Sequence, residues 1–155
     1  MTFVFAVIYK VMDAFAFYGR GVDFPLPKNV DSKLLVTDEL QGGEIFVFGS
    51  NLAGRHDGGA ARVAVEKFGA VYGQGVGLQG QSYAIPTMQG GVDTIKPYVD
   101  EFIRFADSHP ELTFFVTRIG CGIAGFRDEE IAPLFALAYS LPNIYLPASF
   151  WKVLR

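Results

Sequence analysis

Two glycine-rich loops, each placed between an apolar run and a helical pattern, constrain the fold of this chain most strongly. The first loop (residues 49–61) follows a β-favouring run at residues 44–48. The second loop (residues 119–126) follows an almost continuous apolar run that starts at residue 113. Strands that alternate with helices through such loops are typical of layered α/β proteins. The loops therefore predict an α/β fold.

The periodicity of the remaining chain agrees with this class. Four further segments favour strands, at residues 2–11, 33–37, 82–86 and 144–147. Three segments favour helices, at residues 59–68, 92–108 and 128–140. Residues 72–80 hold four glycines, which predicts flexibility or close approach of a ligand rather than an ordinary strand. We expect a three-layer α/β/α fold with a central mixed sheet.

The length and composition fit one globular domain. A chain of 155 residues is too short for two typical domains, and 50% hydrophobic with 19% charged residues argues against disorder. We therefore expect a single domain over residues 1–155, with residues 1–30 as an N-terminal extension of undefined role. An oligomer remains open, because the apolar start at residues 1–17 suits either a buried strand or an oligomer contact.

Charge and cysteine content exclude several classes of protein. A net charge of −3 provides no general basic field, so a nucleic-acid partner is not expected except as a modified substrate. Cys121 is the single cysteine, and no CxxC or Cys/His cluster predicts a metal site. Residues 1–17 contain Asp13 and no basic residue before Lys10, unlike a signal peptide. These features predict a cytoplasmic protein without a membrane span, a metal or a cofactor.

Both glycine loops have the chemistry of phosphate sites. Glycines let the backbone approach a ligand closely, and free N–H groups at a helix N-terminus attract phosphate. Two such loops at the carboxyl ends of strands can face one crevice, where open α/β sheets bind ligands. Neither loop has the spacing of an ATPase phosphate loop or of the dinucleotide fingerprint, so ATP hydrolysis and hydride transfer are not supported. The alternative for each loop is a purely structural turn.

The order of these segments resembles a known family. The chain resembles the macrodomains, which bind ADP-ribose and have the order strand, acidic residue, strand, Asn and glycine loop. The resemblance is carried by residues 34–38, residues 44–51 with the first loop, residues 83–87 and the second loop. The similarity covers residues 34–146 and is greatest to bacterial and phage proteins of macrodomain-like sequence. It implies a macrodomain-like fold and ADP-ribose or a related nucleotide as the ligand.

The resemblance implies roles for particular residues. Asp38 would accept a hydrogen bond from the adenine amino group, Asn51 would contact the distal ribose, and Phe126 would lie against that ribose. The backbone of residues 58–60 would contact this ribose and the adjacent phosphate, and residues 120–126 would wrap the diphosphate. The predicted ligand-binding residues are Asp38, Ser50, Asn51, Arg55, Gly58, Gly59, Ala60, Gly120, Cys121, Gly122, Ile123, Ala124, Gly125 and Phe126.

Two departures from the family pattern lie in the first loop. Gly49 and Ser50 replace the more usual small or Ala pair before Asn51, and Arg55-His56-Asp57 interrupts the glycine run. The same insertion offers chemistry, since Arg55 can pair with a phosphate and His56 with Asp57 can activate a water as base and orienter.

Three functions therefore stay open from the sequence. The first is a module that binds ADP-ribose without turnover, and the second is a hydrolase that removes ADP-ribose from a macromolecule with a water held near Asn51, His56 and Asp57. The third is a non-catalytic interaction protein that keeps only the fold. Cys121 is either a nucleophile in the second loop or a small buried residue.

Overall fold

A computed structural model describes residues 17–18 and 40–154 of the chain. Three sequence predictions fall outside these residues, namely the strands at residues 2–11 and 33–37 and the adenine contact of Asp38, and only residues 17–18 of the N-terminal extension at residues 1–30 are described. These three remain predictions.

The described residues form strands and helices in alternation. The strands are β1 (Phe17–Tyr18), β2 (Glu44–Ser50), β3 (Gly77–Gln79), β4 (Ser82–Pro86), β5 (Thr113–Val116) and β6 (Ile144–Pro147). The helices are α1 (Gly59–Lys67), α2 (Val92–Asp107), α3 (Asp128–Ile131), a 3₁₀-helix (Ala132–Ser140) and α4 (Ala148–Leu154).

The strands form one mixed sheet in the order β1-β6-β5-β2-β4-β3. The four inner strands β6, β5, β2 and β4 are parallel, and β1 and β3 pair antiparallel at the two edges. The predicted α/β class with a mixed sheet is confirmed. Inner strands covered on both faces explain why β2 and β5 are apolar without alternation.

Aromatic side chains join the sheet to helices on its two faces. Phe46 of β2 packs against Phe68, which follows α1, with ring centroids 4.8 Å apart. On the opposite face Tyr83 of β4 and Phe114 of β5 both contact Phe102 of α2, at 5.1 and 5.4 Å. The connection from β2 to β4 and the connection from β4 to β5 run in opposite directions across the sheet. Right-handed crossovers therefore require α1 and α2 to lie on opposite faces. The arrangement is compatible with the expected three layers.

α2 is the longest described helix. Its 16 residues turn a stripe that includes Ile95, Val99 and Phe102 towards the sheet, as the spacing of apolar residues predicts. No helix in residues 40–154 is long and apolar enough to cross a membrane.

The structure differs from the sequence prediction at residues 72–80 and 128–140, and it contains β1 and α4, which the sequence did not predict. Residues 72–80 contain the short edge strand β3, and two of their four glycines closely approach other backbone segments: a Cβ on Gly75 would overlap the carbonyl oxygen of Asn51, and one on Gly80 would overlap Gly69. The predicted helix at residues 128–140 is α-helical only to Ile131 and continues as a 3₁₀-helix. Pro133 has no N–H to donate to the carbonyl of residue 129, and a proline ring clashes with that carbonyl in an α-helix, so the α-helical pattern is interrupted there.

Candidate functional site

A cleft of about 670 Å³ lies at the carboxyl ends of β2 and β5, between the two glycine loops. Its volume is that of a typical small-molecule site. The cleft is lined by Gly49, Ser50, Asn51, Arg55, Asp57, Gly58, Gly59, Ala60, Ala61, Thr87, Met88, Thr117, Arg118, Ile119, Gly120, Cys121, Gly122, Ile123 and Ala124. The structure thus brings most of the predicted ligand-binding residues together.

The sheet topology explains why the cleft forms here. β2 connects through α1 to β4, which lies on one side of it, whereas β5 connects to β6 on the other side. The loops after these two adjacent strands therefore leave in opposite directions and open a gap between them. Such a switch point is the usual ligand site of an open α/β sheet.

The first loop presents unpaired backbone donors at the start of α1. Gly58 is the extended N-cap residue and offers no side-chain oxygen, and the first helical hydrogen bond runs from Arg62 N–H to Gly58 O at 3.3 Å. In the described structure the N–H groups of Gly59, Ala60 and Ala61 have no hydrogen-bond partner. These groups carry the positive end of the helix dipole and favour an anion.

The second loop presents a similar set of donors. Two internal hydrogen bonds close it, from Gly125 N–H to Gly122 O at 3.0 Å and from Phe126 N–H to Gly120 O at 2.9 Å. The N–H groups of Gly122, Ile123 and Ala124 donate to no acceptor within the described residues. Successive free N–H groups in a turn form a concave anion site.

Asn51 uses its amide to shape the first loop. Its Oδ1 accepts from Arg55 N–H at 2.9 Å, and its Nδ2 donates to Arg55 O at 2.8 Å. An amide has two acceptor sites and two donor hydrogens, so one of each remains for a ligand. Asn51 can therefore both hold the loop and contact a bound molecule.

Ser50 lines the cleft, but its hydroxyl serves the fold. The side chain is 5% exposed, and the hydroxyl donates to Gly75 O in the glycine-rich turn that precedes β3. Gly73 N–H also donates to Gly54 O at 2.8 Å, so this turn supports the first loop from below. The predicted contact of Ser50 with a ligand is thus limited to its backbone.

His56 lies beneath the first loop and not in the cleft. It is 3% exposed, its ring packs edge-on against Phe48 at 5.2 Å, and its Nε2 lies 3.0 Å from Gln74 O. Nδ1 is buried without a partner in the described structure. This placement differs from the prediction of a catalytic base, because the ring cannot reach a water near Asp57 in the cleft while it fills this core position.

We expect His56→Ala to lower the free energy of unfolding by about 2–3 kcal/mol, because it removes ring packing and one of the two side-chain hydrogen bonds that Gln74 O accepts, from His56 and from Gln79. Urea unfolding measures this loss. Leu52→Ala, an exposed change in the same loop, should shift it by no more than about 0.5 kcal/mol. Equal stability of the His56 variant and the wild type would contradict the structural role.

Phe126 and Gly125 do not line the cleft. Phe126 is partly buried and packs against the core under Gly120, where its Cδ2 lies 3.4 Å from the Cβ position of that glycine. The predicted contact between Phe126 and a ribose differs from this arrangement. Gly120 has φ +77° and lies against Ile131 as well, so a glycine is required there for both conformation and space.

Cys121 lines the cleft as a protonated thiol. Burial, together with the Asp128 carboxylate 3.6 Å from its Sγ, raises the pKa of the Cys121 thiol to about 12. A thiol with this pKa is not ionised at neutral pH, and the thiolate is the nucleophilic form. The structure therefore favours the alternative in which Cys121 is a small packing residue.

Four cleft residues lie outside the two predicted glycine loops: Thr87, Met88, Thr117 and Arg118. Both threonines are buried, and the Thr117 hydroxyl donates to Val47 O at 2.8 Å, which ties the end of β5 to β2. Their only sequence signal is position, since each lies one or two residues beyond the end of an inner strand. Met88 is 51% exposed and offers an apolar contact at the cleft mouth.

No family model matches this chain, and neither a curated protein nor a solved structure is significantly similar to it.

Proposed function

We propose that this chain is a macrodomain-like protein that binds ADP-ribose in the cleft between its two glycine loops. One observation supports this most directly. Two sets of free backbone N–H groups, one at residues 59–61 and one at residues 122–124, lie on opposite walls of one cleft. A diphosphate carries acceptor oxygens on both sides and suits two facing donor sets.

The remaining walls suit the sugars that flank a diphosphate. Asn51 keeps one donor and one acceptor for ribose hydroxyls, and Ile123 and Met88 are exposed apolar side chains on the cleft wall. The loops are close: Ile123 Cδ1 lies 3.6 Å from the Cβ position of Gly58. A ligand with a narrow diphosphate between two broader sugars fits such a constriction.

Binding without turnover is the function favoured here. The suggested base and orienter are separated, because His56 is buried under the loop whereas Asp57 is exposed in the cleft wall. Arg55 has no ion-pair partner among the described residues, which leaves its guanidinium for a phosphate.

Isothermal titration of the purified protein with ADP-ribose, AMP and NAD tests the proposal. We expect micromolar affinity for ADP-ribose and weaker binding of AMP, which lacks the diphosphate and the second ribose. Absence of heat with all three ligands would contradict the proposal and favour an interaction protein that keeps only the fold.

Hydrolysis of ADP-ribosyl groups is the second candidate, favoured by one observation. The Asp57 carboxylate lies in the cleft wall and accepts a hydrogen bond from the Tyr72 hydroxyl at 3.3 Å, so an oriented carboxylate is present to hold a water. Under this candidate, Asp57→Ala would abolish release of ADP-ribose from a modified protein while the affinity for free ADP-ribose changes little. Release by neither the wild type nor the variant would leave binding as the function.

A further inference from the structure

Arg118 is a cleft residue whose guanidinium is only partly used within the protein. It lies two residues after β5, and its side chain is 50% exposed. Its Nε and Nη2 donate to the two carboxylate oxygens of Asp128, at 3.1 and 2.8 Å. An arginine has five N–H donors, so both donors of Nη1 and one of Nη2 remain available.

Asp128 is itself held in place. Its Oδ1 accepts from the Ser149 hydroxyl of α4 at 2.9 Å, and its side chain is only 19% exposed. The neighbouring Arg118 guanidinium lowers the pKa of the Asp128 carboxyl, so the carboxylate is ionised at neutral pH. A guanidinium paired through two hydrogen bonds to a fixed carboxylate loses little freedom when it binds a further oxygen.

The two cations of the cleft wall therefore differ in kind. Arg55 is exposed on the first loop and has no ion-pair partner in the described chain, so it contributes net charge but must be ordered by the ligand. The Arg118–Asp128 pair is neutral as a whole, so it contributes directed donors rather than charge. Donors that point in fixed directions favour a ligand whose acceptor oxygens match their geometry.

We propose that Arg118 donates hydrogen bonds to a phosphate oxygen of the bound nucleotide and that Asp128 is the residue that positions it. This inference rests on the proposed function, since it assigns a cation to the diphosphate of that ligand. It also places a side-chain donor beside the backbone donors of the second loop.

Titration of ADP-ribose and, separately, of inorganic pyrophosphate into matched variants tests the inference. We expect Arg118→Gln to weaken binding of ADP-ribose by about 10- to 100-fold, because hydrogen bonds to a charged group are lost. Arg118→Lys keeps the charge without the planar fork and should weaken binding by about 5-fold or more. Arg127→Gln is the control, because Arg127 pairs with Glu130 and lies outside the cleft lining. This variant should bind ADP-ribose with an affinity within about 2-fold of the wild type.

A double variant separates positioning from a general structural role. Asp128→Asn should weaken binding by about 3- to 10-fold, and Arg118→Gln with Asp128→Asn should bind no more weakly than Arg118→Gln alone, because Asp128 acts through Arg118. If Asp128 only stabilised the loop, the two losses would multiply. Thermal unfolding of each variant shows whether it is folded. If Arg118→Gln is not folded, the affinity of Arg118→Lys tests the role of Arg118.

The outcomes distinguish the two proposals. Loss of affinity on Arg118→Gln and Arg118→Lys supports the role of Arg118. If ADP-ribose fails to bind the wild type but pyrophosphate binds and Arg118→Gln abolishes it, the ADP-ribose proposal fails and Arg118 remains an anion ligand. Wild-type-like affinity of both Arg118 variants overturns the inference alone. Failure of both probes to bind the wild type overturns both.

Discussion

Gly122→Glu is expected to weaken binding of ADP-ribose by at least about 100-fold, because it places a carboxylate beside the free donors of the second loop, where like-charge contact with a diphosphate costs several kcal/mol. The glycine tolerates a side chain without distortion. Its φ lies outside the left-handed region, and no atom lies within 4 Å of its Cβ position. Isothermal titration measures the loss, and thermal unfolding should show little change.

Gly42→Glu is the matched control for this change. Gly42 is equally open, with no atom within 4 Å of its Cβ position. It lies in the turn before β2, at the end of the strands opposite to the cleft. It adds the same charge and should leave the affinity within about 2-fold, since screening weakens charges beyond about 10 Å. Equal affinity of both variants and the wild type would show that the second loop is not the phosphate site.

Gly54→Ala is expected to lower the free energy of unfolding by about 3–5 kcal/mol, the second large effect. Gly54 has φ +69°, and its Cβ position overlaps the backbone of Gly73 and Gln74 in the supporting turn. Backbone cannot move aside as a flexible side chain does. For a chain of this size the change should lower Tm by about 10 °C, which differential scanning calorimetry measures.

Gly73→Ala isolates the steric part of that effect. Gly73 also has a positive φ, +98°, but no atom lies within 4 Å of its Cβ position. The alanine there carries only the left-handed strain, about 1–2 kcal/mol. Equal losses for the two variants would mean that the contact between the first loop and the turn adds nothing to stability.

The sequence alone predicted β2, β4, β5, β6, α1 and α2 because their signals are local, whereas β1, β3 and α4 were not predicted. Residues 82–86 and 144–147 form β4 and β6 as predicted, and the helices that begin at residues 59 and 92 end within one residue of the expected position. Side-chain periodicity and glycine position depend on neighbours along the chain. The same local signals predicted that two glycine loops follow β2 and β5 and lie at one edge of the sheet.

The tertiary structure decided how the site's side chains are used. His56 contacts a carbonyl 18 residues away, and the Ser50 hydroxyl contacts one 25 residues away, so neither is free for a ligand. The Arg118 side chain at the cleft is paired with the Asp128 carboxylate, ten residues along the chain, and Asp128 is in turn held by Ser149 of α4. Whether a polar group faces the cleft or the core depends on which distant segments fold against it, and a single sequence does not contain that information in any local pattern. The position of the two loops was therefore predictable from the sequence, and the direction of each side chain required the fold.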